Sequence, residues 1–489
     1  MTSLQLTSPQ NLIRGRWVAT EATLAVHDPE DGSVIGRVPD GTDAMMADAV
    51  AGAVAGAHIA RRMAVHERQS MLRHAADLVE SRAETFAYTI ACESSKTIRE
   101  ARAEVRRAVD TLRLASEASA RLGGETIAFD RRPGAEGRRG YYERVPLGVV
   151  AAITPFNDPL NLVVHKVGPA LAAGNAVVLK PASATPLSAL LLVETLLEAG
   201  VPPEVLAVVT GSGARLGRVL VSHPAVAMVS FTGGLATGEA IAHQAGLKKL
   251  AMELGANSPV LVLADADVDR AADAIVSGAF SNAGQNCLGV QRVFAADSVA
   301  DRFVEQLVRR TRAWRMGSKL AEDTDMGPMI HEREAVRIGE WVAEAVGGGA
   351  EVLVGGTRQG AFYTPTVMAG VPRTSRLYRE EVYGPVVSVF PVSSVDEAIA
   401  RANEVPYGLQ AGVFTRSLDL AHRCIRELHV GGVMVNDSSD FRVDDMPFGG
   451  FKGSGLGREG VRFAAEAMTE TKVVCFNLAN PASSDAVSR

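Results

Sequence analysis

Cysteine is scarce in this 489-residue chain, with four copies at positions 92, 287, 424 and 475. They stand far apart, with no CxxC pair and no Cys/His metal spacing, so neither a disulfide framework nor a zinc module organises the fold. No run of about 18 apolar residues occurs, so no membrane-spanning helix is expected. The opening segment, MTSLQLTSPQNLIRGRW, has no apolar centre of the kind a secretory signal needs. A reducing cytoplasm with free thiols is the expected setting. Positive charge is not in surplus either. The 50 Lys and Arg against 56 Asp and Glu leave a formal charge of −6, which offers no footprint for nucleic acid or an anionic membrane.

What remains is a globular composition, 47% hydrophobic and 22% charged, in a chain long enough for two or three domains. Residues 1 to about 40 read as strands and turns, with a hairpin turn at 27–32 ahead of Val34 and Ile35. From Thr42 to about Leu122, apolar residues recur at three- and four-residue spacing, as at Met71, Leu72, Ala75, Leu78 and Val79, which predicts helices. The charged run 99–113 is expected as a solvated helix face, and 125–146 as a charged hairpin or arm. Short apolar runs at 149–153, 176–179, 205–209, 227–231 and 259–263 then alternate with helical stretches. That alternation predicts a parallel sheet with helices on both faces. A second alternating region runs from Asp269 to about Met468, with strands expected at 386–391 and 430–436. A last strand at 471–476 precedes the polar tail ASSDAVSR, expected to be loose.

Sites in open α/β sheets gather at strand ends. Asn157 lies between Pro155 and Pro159, and its side-chain amide suits a developing oxyanion. Lys180, held by Pro181 at the end of an apolar run, suits a ribose or phosphate. The glycine-rich turns 211–217 and 233–238 each follow a strand and open a helix, whose N–H groups suit a pyrophosphate. Neither turn matches GxGxxG. Glu253, in apolar surroundings beside Gly255, suits a general base of raised pKa. Cys287 sits in FSNAGQNCLGVQR, where small and amide-bearing neighbours leave a thiol open to an electrophile. Each signal alone also fits a structural role: a Cys as a small buried hydrophobe, an Asn in a turn, a strand-end Glu.

Taken in order, TPFN, LKPAS, SFTGG followed by Gly238, ELGANSP, AGQNC, EEVYGPV and PFGGFKGSGLGREG resemble the aldehyde dehydrogenase superfamily, from RGRWV to the final strand. The resemblance implies an α/β fold with a Rossmann-like cofactor domain, an α/β catalytic domain and a small β oligomerisation arm. It would place the NAD(P)-binding domain at 1–124 and 147–254, the catalytic domain at 255–452, and the arm and tail at 125–146 and 453–489. It implies Cys287 as nucleophile, Asn157 and the Cys287 N–H as oxyanion donors, and Glu253 as the base that activates water. Lys180 would meet the adenosine ribose, Glu381 the nicotinamide ribose, Tyr383 the nicotinamide itself, and the turn 233–238 the pyrophosphate. Thr154, Pro155, Phe156, Ala182, Ser183, Gly213, Gly217, Phe231, Thr232, Gly233, Gly234, Leu254 and Gly255 would complete the cofactor cleft. The implied cofactor is NAD or NADP without a metal. The implied partners are a small aldehyde and further copies of the chain, as a homodimer or homotetramer.

Three departures bear on these expectations. Ser183 replaces a Glu that favours NAD, which leaves NADP open; Gly234 replaces a Ser that would donate to the pyrophosphate; Ala256 replaces a glycine after the base. The stretches PFNDPLNLVVHKVGPALAAGN and RVDDMPFGGFKGSGLGREG are most similar to the phosphonoacetaldehyde, lactaldehyde and non-phosphorylating glyceraldehyde-3-phosphate dehydrogenases, a branch that takes short, often anionic aldehydes. Arg106 or Arg107 on the helix, together with Arg442, is expected to meet an anionic tail. Asp158 and Asn286 are expected beside the substrate, where the phosphonoacetaldehyde enzymes have His and Arg, and weigh against a fully ionised phosphonate. Two other functions compete: an acylating dehydrogenase passing its thioester to coenzyme A, against which Glu253 argues, and a non-catalytic binding protein on the same fold.

Overall fold

The computed structural model describes residues 10–478; the polar tail ASSDAVSR and the ends of the expected domain ranges lie outside them. An eight-stranded sheet runs in the order Arg16–Val18, Asn11–Ile13, Leu206–Val208, Ala176–Lys180, Val149–Ile153, Val226–Thr232, Lys249–Glu253 and Gly455–Leu456. Its five central strands are parallel, and pairing turns antiparallel at both edges. The strand Val149–Ile153 shows why so many positions are apolar. Val150 and Ala152 enter one buried cluster, while Val149, Ala151 and Ile153 enter another. Successive side chains point to opposite faces, and both faces are covered.

Chain order in the parallel core reverses between Val149–Ile153 and Val226–Thr232. Connections leave the two strands in opposite directions there, opening a crevice beyond their carboxyl ends. Thr154 to Asn157 and Thr232 to Gly234 stand at that crevice.

A second sheet, from Ser258–Val262 to Gly432–Val435, has seven strands, parallel except for Glu351–Val354 at one edge. Cys287 falls between the helix Val268–Phe280 and the strand Val290–Ala296 of this sheet. A separate three-stranded antiparallel sheet joins Glu125–Ile127, Arg138–Pro146 and Thr469–Asn477.

The expected arm and tail at 453–489 is narrower than its range. Gly455–Leu456 pairs with Lys249–Glu253, bringing Gly455 opposite Glu253, and the helix Val461–Ala467 packs on Ile98–Arg121 and Asn161–Ala172. Only Thr469–Asn477 joins the separate sheet. The charged run at 99–113 also differs from a plain solvated face. It lies in the helix Ile98–Arg121, started by Thr97, whose hydroxyl accepts from Glu100 N while the Glu100 carboxylate accepts from Thr97 N. That helix buries Glu104 completely against the site below. No described helix is long and apolar enough to cross a membrane.

Candidate active site

Two cavities follow the crevice. The first, about 550 Å³, is lined by Thr154, Lys180, Ala182, Ser183, Gly213, Gly217, Phe231, Gly233 and Gly234. The second, about 370 Å³, shares Ala182, Gly233 and Gly234 with it and continues past Pro155, Phe156, Thr232, Leu254, Gly255, Glu381 and Tyr383 to Cys287. Of the residues expected around a cofactor, all but Leu235 and Gly238 of the turn 233–238 line one of the two.

Their walls fit a dinucleotide. Gly234 caps the helix Leu235–Ala245 with no side-chain hydrogen bond, so the backbone N–H groups of that first turn stay open to an anion. A Cβ at Gly233 would lie 2.5 Å from the Phe231 ring, and one at Gly255 2.2 Å from Glu381 Oε2, so both glycines permit close backbone approach. Lys180 is buried, donates to Pro181 O at 2.7 Å and Ser183 Oγ at 3.3 Å, and has no acidic partner. Burial lowers its pKa to about 8. Glu381 Oε1 accepts from Ala256 N at 2.9 Å, and burial raises its carboxyl to about 7. Tyr383 stands edge-on to Phe156, ring centroids 5.9 Å apart.

A third cavity, about 140 Å³, shares Asn157, Thr232, Glu253 and Cys287 with the second and adds Arg107, Asp158, Asn286, Asp440, Arg442, Phe448 and Glu459. Cys287 is presented by an unusual turn: Asn282, Ala283 and Gly284 all have positive φ, at 52°, 54° and 68°. For two non-glycine residues that is a strained conformation, and the surroundings hold it. Asn282 N donates to Glu100 Oε1 at 2.7 Å, and Gln285 bonds Ser95 Oγ and Ile330 N. Burial pushes the Cys287 thiol well up, while Arg442 pulls against that shift. Glu253 ends the strand Lys249–Glu253. Its Oε2 is buried without a partner, and burial, reinforced by Glu459, raises its carboxyl well above the usual range. The side-chain amide of Asn157 makes no hydrogen bond among the described residues; only the residue's backbone carbonyl accepts, from Asn282 Nδ2 at 3.3 Å.

Behind this cavity lies a buried ionic network. Lys96 donates to Glu104 Oε2 at 2.6 Å and to Asp158. Arg107 forks onto Asp444 at 2.8 and 3.1 Å and lies 3.8 Å from Asp158. Lys166 and Arg442 both donate to Glu459, each at 3.1 Å. The cations Lys96, Arg107, Lys166 and Arg442 are therefore matched by Glu104, Asp158, Asp444 and Glu459. Burial opposes ionisation of Asp158 and Glu459, but their basic partners outweigh it; Glu459 is drawn to about 2. Desolvation keeps His165 below its ordinary pKa although Nε2 meets Asp444 Oδ1 at 2.8 Å. Arg442 stacks on Phe448, 3.8 Å from the ring centroid, and its Nε is buried without a partner.

The sequence profile of the aldehyde dehydrogenase family matches residues 17–474. The chain belongs to that family. Aspartate-semialdehyde dehydrogenase 1 of Pseudomonas canavaninivorans is 48% identical over 468 residues, 96% of this chain and 99% of the relative. The 3-sulfolactaldehyde dehydrogenase of Priestia aryabhattai is 45% identical over 481 residues, 98% of this chain and 100% of the relative. Among solved structures, the NADP-dependent glyceraldehyde-3-phosphate dehydrogenase of Bacillus halodurans C-125, complexed with NADP, matches with a TM-score of 0.94 and 39% identity, covering 96% of this chain and 100% of that one.

In this aldehyde dehydrogenase one expected substrate residue stands apart. Arg106 is exposed and lines none of the three cavities, whereas Arg107 lines the third. Neighbouring helical residues point about 100° apart, so one helix cannot present both to the same cavity. Several site residues escaped the sequence reading. Lys166 and Glu459 fall inside quoted motifs and carried a signal that could have been used. So does Asp444, whereas Lys96 and Asp440 carried none. The other cysteines are free, with Cys92 and Cys424 buried and Cys475 exposed.

Proposed function

We propose that this enzyme oxidises a short anionic aldehyde to its carboxylic acid with NADP⁺ or NAD⁺, through a thioester on Cys287 that Glu253-activated water hydrolyses. The observation that carries the reading is the meeting of Cys287, Asn157 and Glu253 in the wall between the second and third cavities. Cys287 Sγ, as the thiolate left when its proton passes to solvent, bonds to the aldehyde carbon, and the carbonyl oxygen gains negative charge within reach of the Asn157 amide and the Cys287 N–H. A bound oxidised nicotinamide supplies the acceptor for the hydrogen and electron pair that leave that carbon. The thiohemiacetal on Cys287 thereby becomes a thioester. Glu253 Oε2, which lacks any partner, takes a proton from water as the water oxygen attacks the thioester carbonyl. The C–S bond breaks, the acid leaves and the sulfur is reprotonated.

A 140 Å³ cavity favours a short substrate, and the unpaired Nε–H of Arg442 favours an anionic end. The relatives named for aspartate semialdehyde and 3-sulfolactaldehyde support that class. No carboxylate lines the cavity around Lys180 and Ser183, which favours NADP, as does the relative complexed with it. The exposed Tyr141, Val473 and Phe476 of the separate sheet would supply the contact of a homodimer or dimer of dimers.

The test is NADPH and NADH formation over succinate semialdehyde, lactaldehyde and a neutral aliphatic aldehyde, with Cys287→Ala as blank. The anionic aldehyde should lead, and Arg442→Ala should erase its lead. Preference for the neutral aldehyde would overturn the anionic class. Turnover that requires coenzyme A would overturn the hydrolytic step.

A further inference from the structure

Asp440 is the one acidic residue lining the third cavity that has neither a basic partner nor a place at the reacting centre. It lies in the loop after Gly432–Val435, and its Oδ1 accepts from the Ser438 hydroxyl. No ion pair reaches it among the described residues, whereas Asp158 and Glu459 on the same wall are both paired. The loop is held on both sides of it. Ser439 Oγ donates to Leu288 O at 2.7 Å, tying the loop to the residue after the nucleophile, and Gln410 Nε2 donates to Ser439 O and Phe441 O at 2.7 and 3.1 Å. Room for the carboxylate comes from Gly278, where a Cβ would lie 2.8 Å from Asp440 Oδ1. A carboxylate in the wall of the cavity that holds Cys287, with one hydroxyl donor and no counter-ion, is costly unless a cation joins it. With the surrounding network already balanced, the unmatched charge of the cavity is negative.

We infer that Asp440 is a specificity residue that receives an ammonium group, and that the substrate is a zwitterionic amino-acid semialdehyde whose carboxylate faces Arg442. The inference rests on the reading of this cavity as the aldehyde site. Asp440 takes no part in bond making, so its effect falls on binding and on choice between aldehydes. Burial, reinforced by Asp437, pushes its carboxyl up, and an ammonium guest would act in the opposite direction.

The test uses the full-length enzyme with L-aspartate 4-semialdehyde and succinate semialdehyde, which differ only in the ammonium group. The wild type should prefer the amino compound. Asp440→Asn should lower kcat/KM for it by roughly 30-fold or more, as for loss of one member of a buried charge pair, mainly through KM. Turnover of succinate semialdehyde should stay within about twofold, which also reports that the variant folds. A wild type indifferent to the amino group, or equal losses on both compounds, overturns the ammonium site. Better turnover of lactaldehyde than of either compound also overturns it, since a hydroxyl would then be the guest. Absence of Cys287-dependent turnover with every aldehyde overturns both this inference and the oxidation reading.

Discussion

The cofactor cleft and the proposed substrate cavity meet at Cys287 and Glu253 but are built in opposite ways. The cleft is large, and much of its wall is backbone: glycines at 213, 217, 233, 234 and 255, and the open start of the helix Leu235–Ala245. Many of its residues come in short runs at strand ends and at the starts of the helices that follow. The substrate cavity is small, and charged side chains contributed by Ile98–Arg121, Asn161–Ala172 and the segment 437–459 surround it. Backbone recognition suits a cofactor shared by a whole family. Side-chain charge, which single substitutions can alter, suits the part that separates one aldehyde from another.

The largest expected effect tests the point where the regions meet. Glu253→Gln should lower kcat by roughly 10²–10⁴-fold, as for removal of a general base, while the first turnover still gives a burst of reduced cofactor. Loss of the burst together with turnover would mean that Glu253 is needed before the thioester forms. Next comes the network behind the cavity. Lys96→Met leaves Glu104 and Asp158 buried without their shared cation and should destabilise the fold by about 3–5 kcal/mol, read by urea unfolding. A loss below about 1 kcal/mol would show that the paired charges are solvated.

The cleft should respond through the cofactor alone. Ser183→Glu sets a carboxylate against a 2′-phosphate and should move the NADP/NAD preference toward NAD by roughly tenfold or more, with aldehyde KM unchanged. The pH dependence has a definite sign. Lys180 is charged below its pKa of about 8 and neutral above it, so KM for NADP⁺ should rise as pH passes 8 while KM for NAD⁺ changes less. The smallest effect is a control: Arg106→Ala should leave both activity and stability within about 0.5 kcal/mol, because its side chain is exposed and outside the cavities. A fall in kcat/KM there would break the contrast between Arg106 and its neighbour.

The cleft could be read from sequence because its physics is local. Pro181 after Lys180, or glycines at a strand-to-helix turn, mark a strand end whatever the chain does elsewhere. The charged run at 99–113 misled for the converse reason. Its composition suits a solvated face, yet Glu104 and Arg107 point inward and Arg106 outward, a division that depends on which face the helix Ile98–Arg121 turns to Asn161–Ala172. The range 453–489 was read as one arm because nothing in its residues shows that Gly455–Leu456 returns to pair with Lys249–Glu253.

By itself the sequence determined the alternation of strands and helices and the glycine turns of the cleft, and it marked Cys287 and Glu253 as candidate nucleophile and base, since each is written in a contiguous run with its own backbone or chemical requirement. Only the tertiary structure decided that Lys96 would neutralise Asp158 across 62 positions, that Asp444 would bind Arg107 across 337, and that Asp440 would have no basic partner among the described residues. Charges are compensated through space over a few ångströms, and no local pattern in a chain records which distant residue will arrive there.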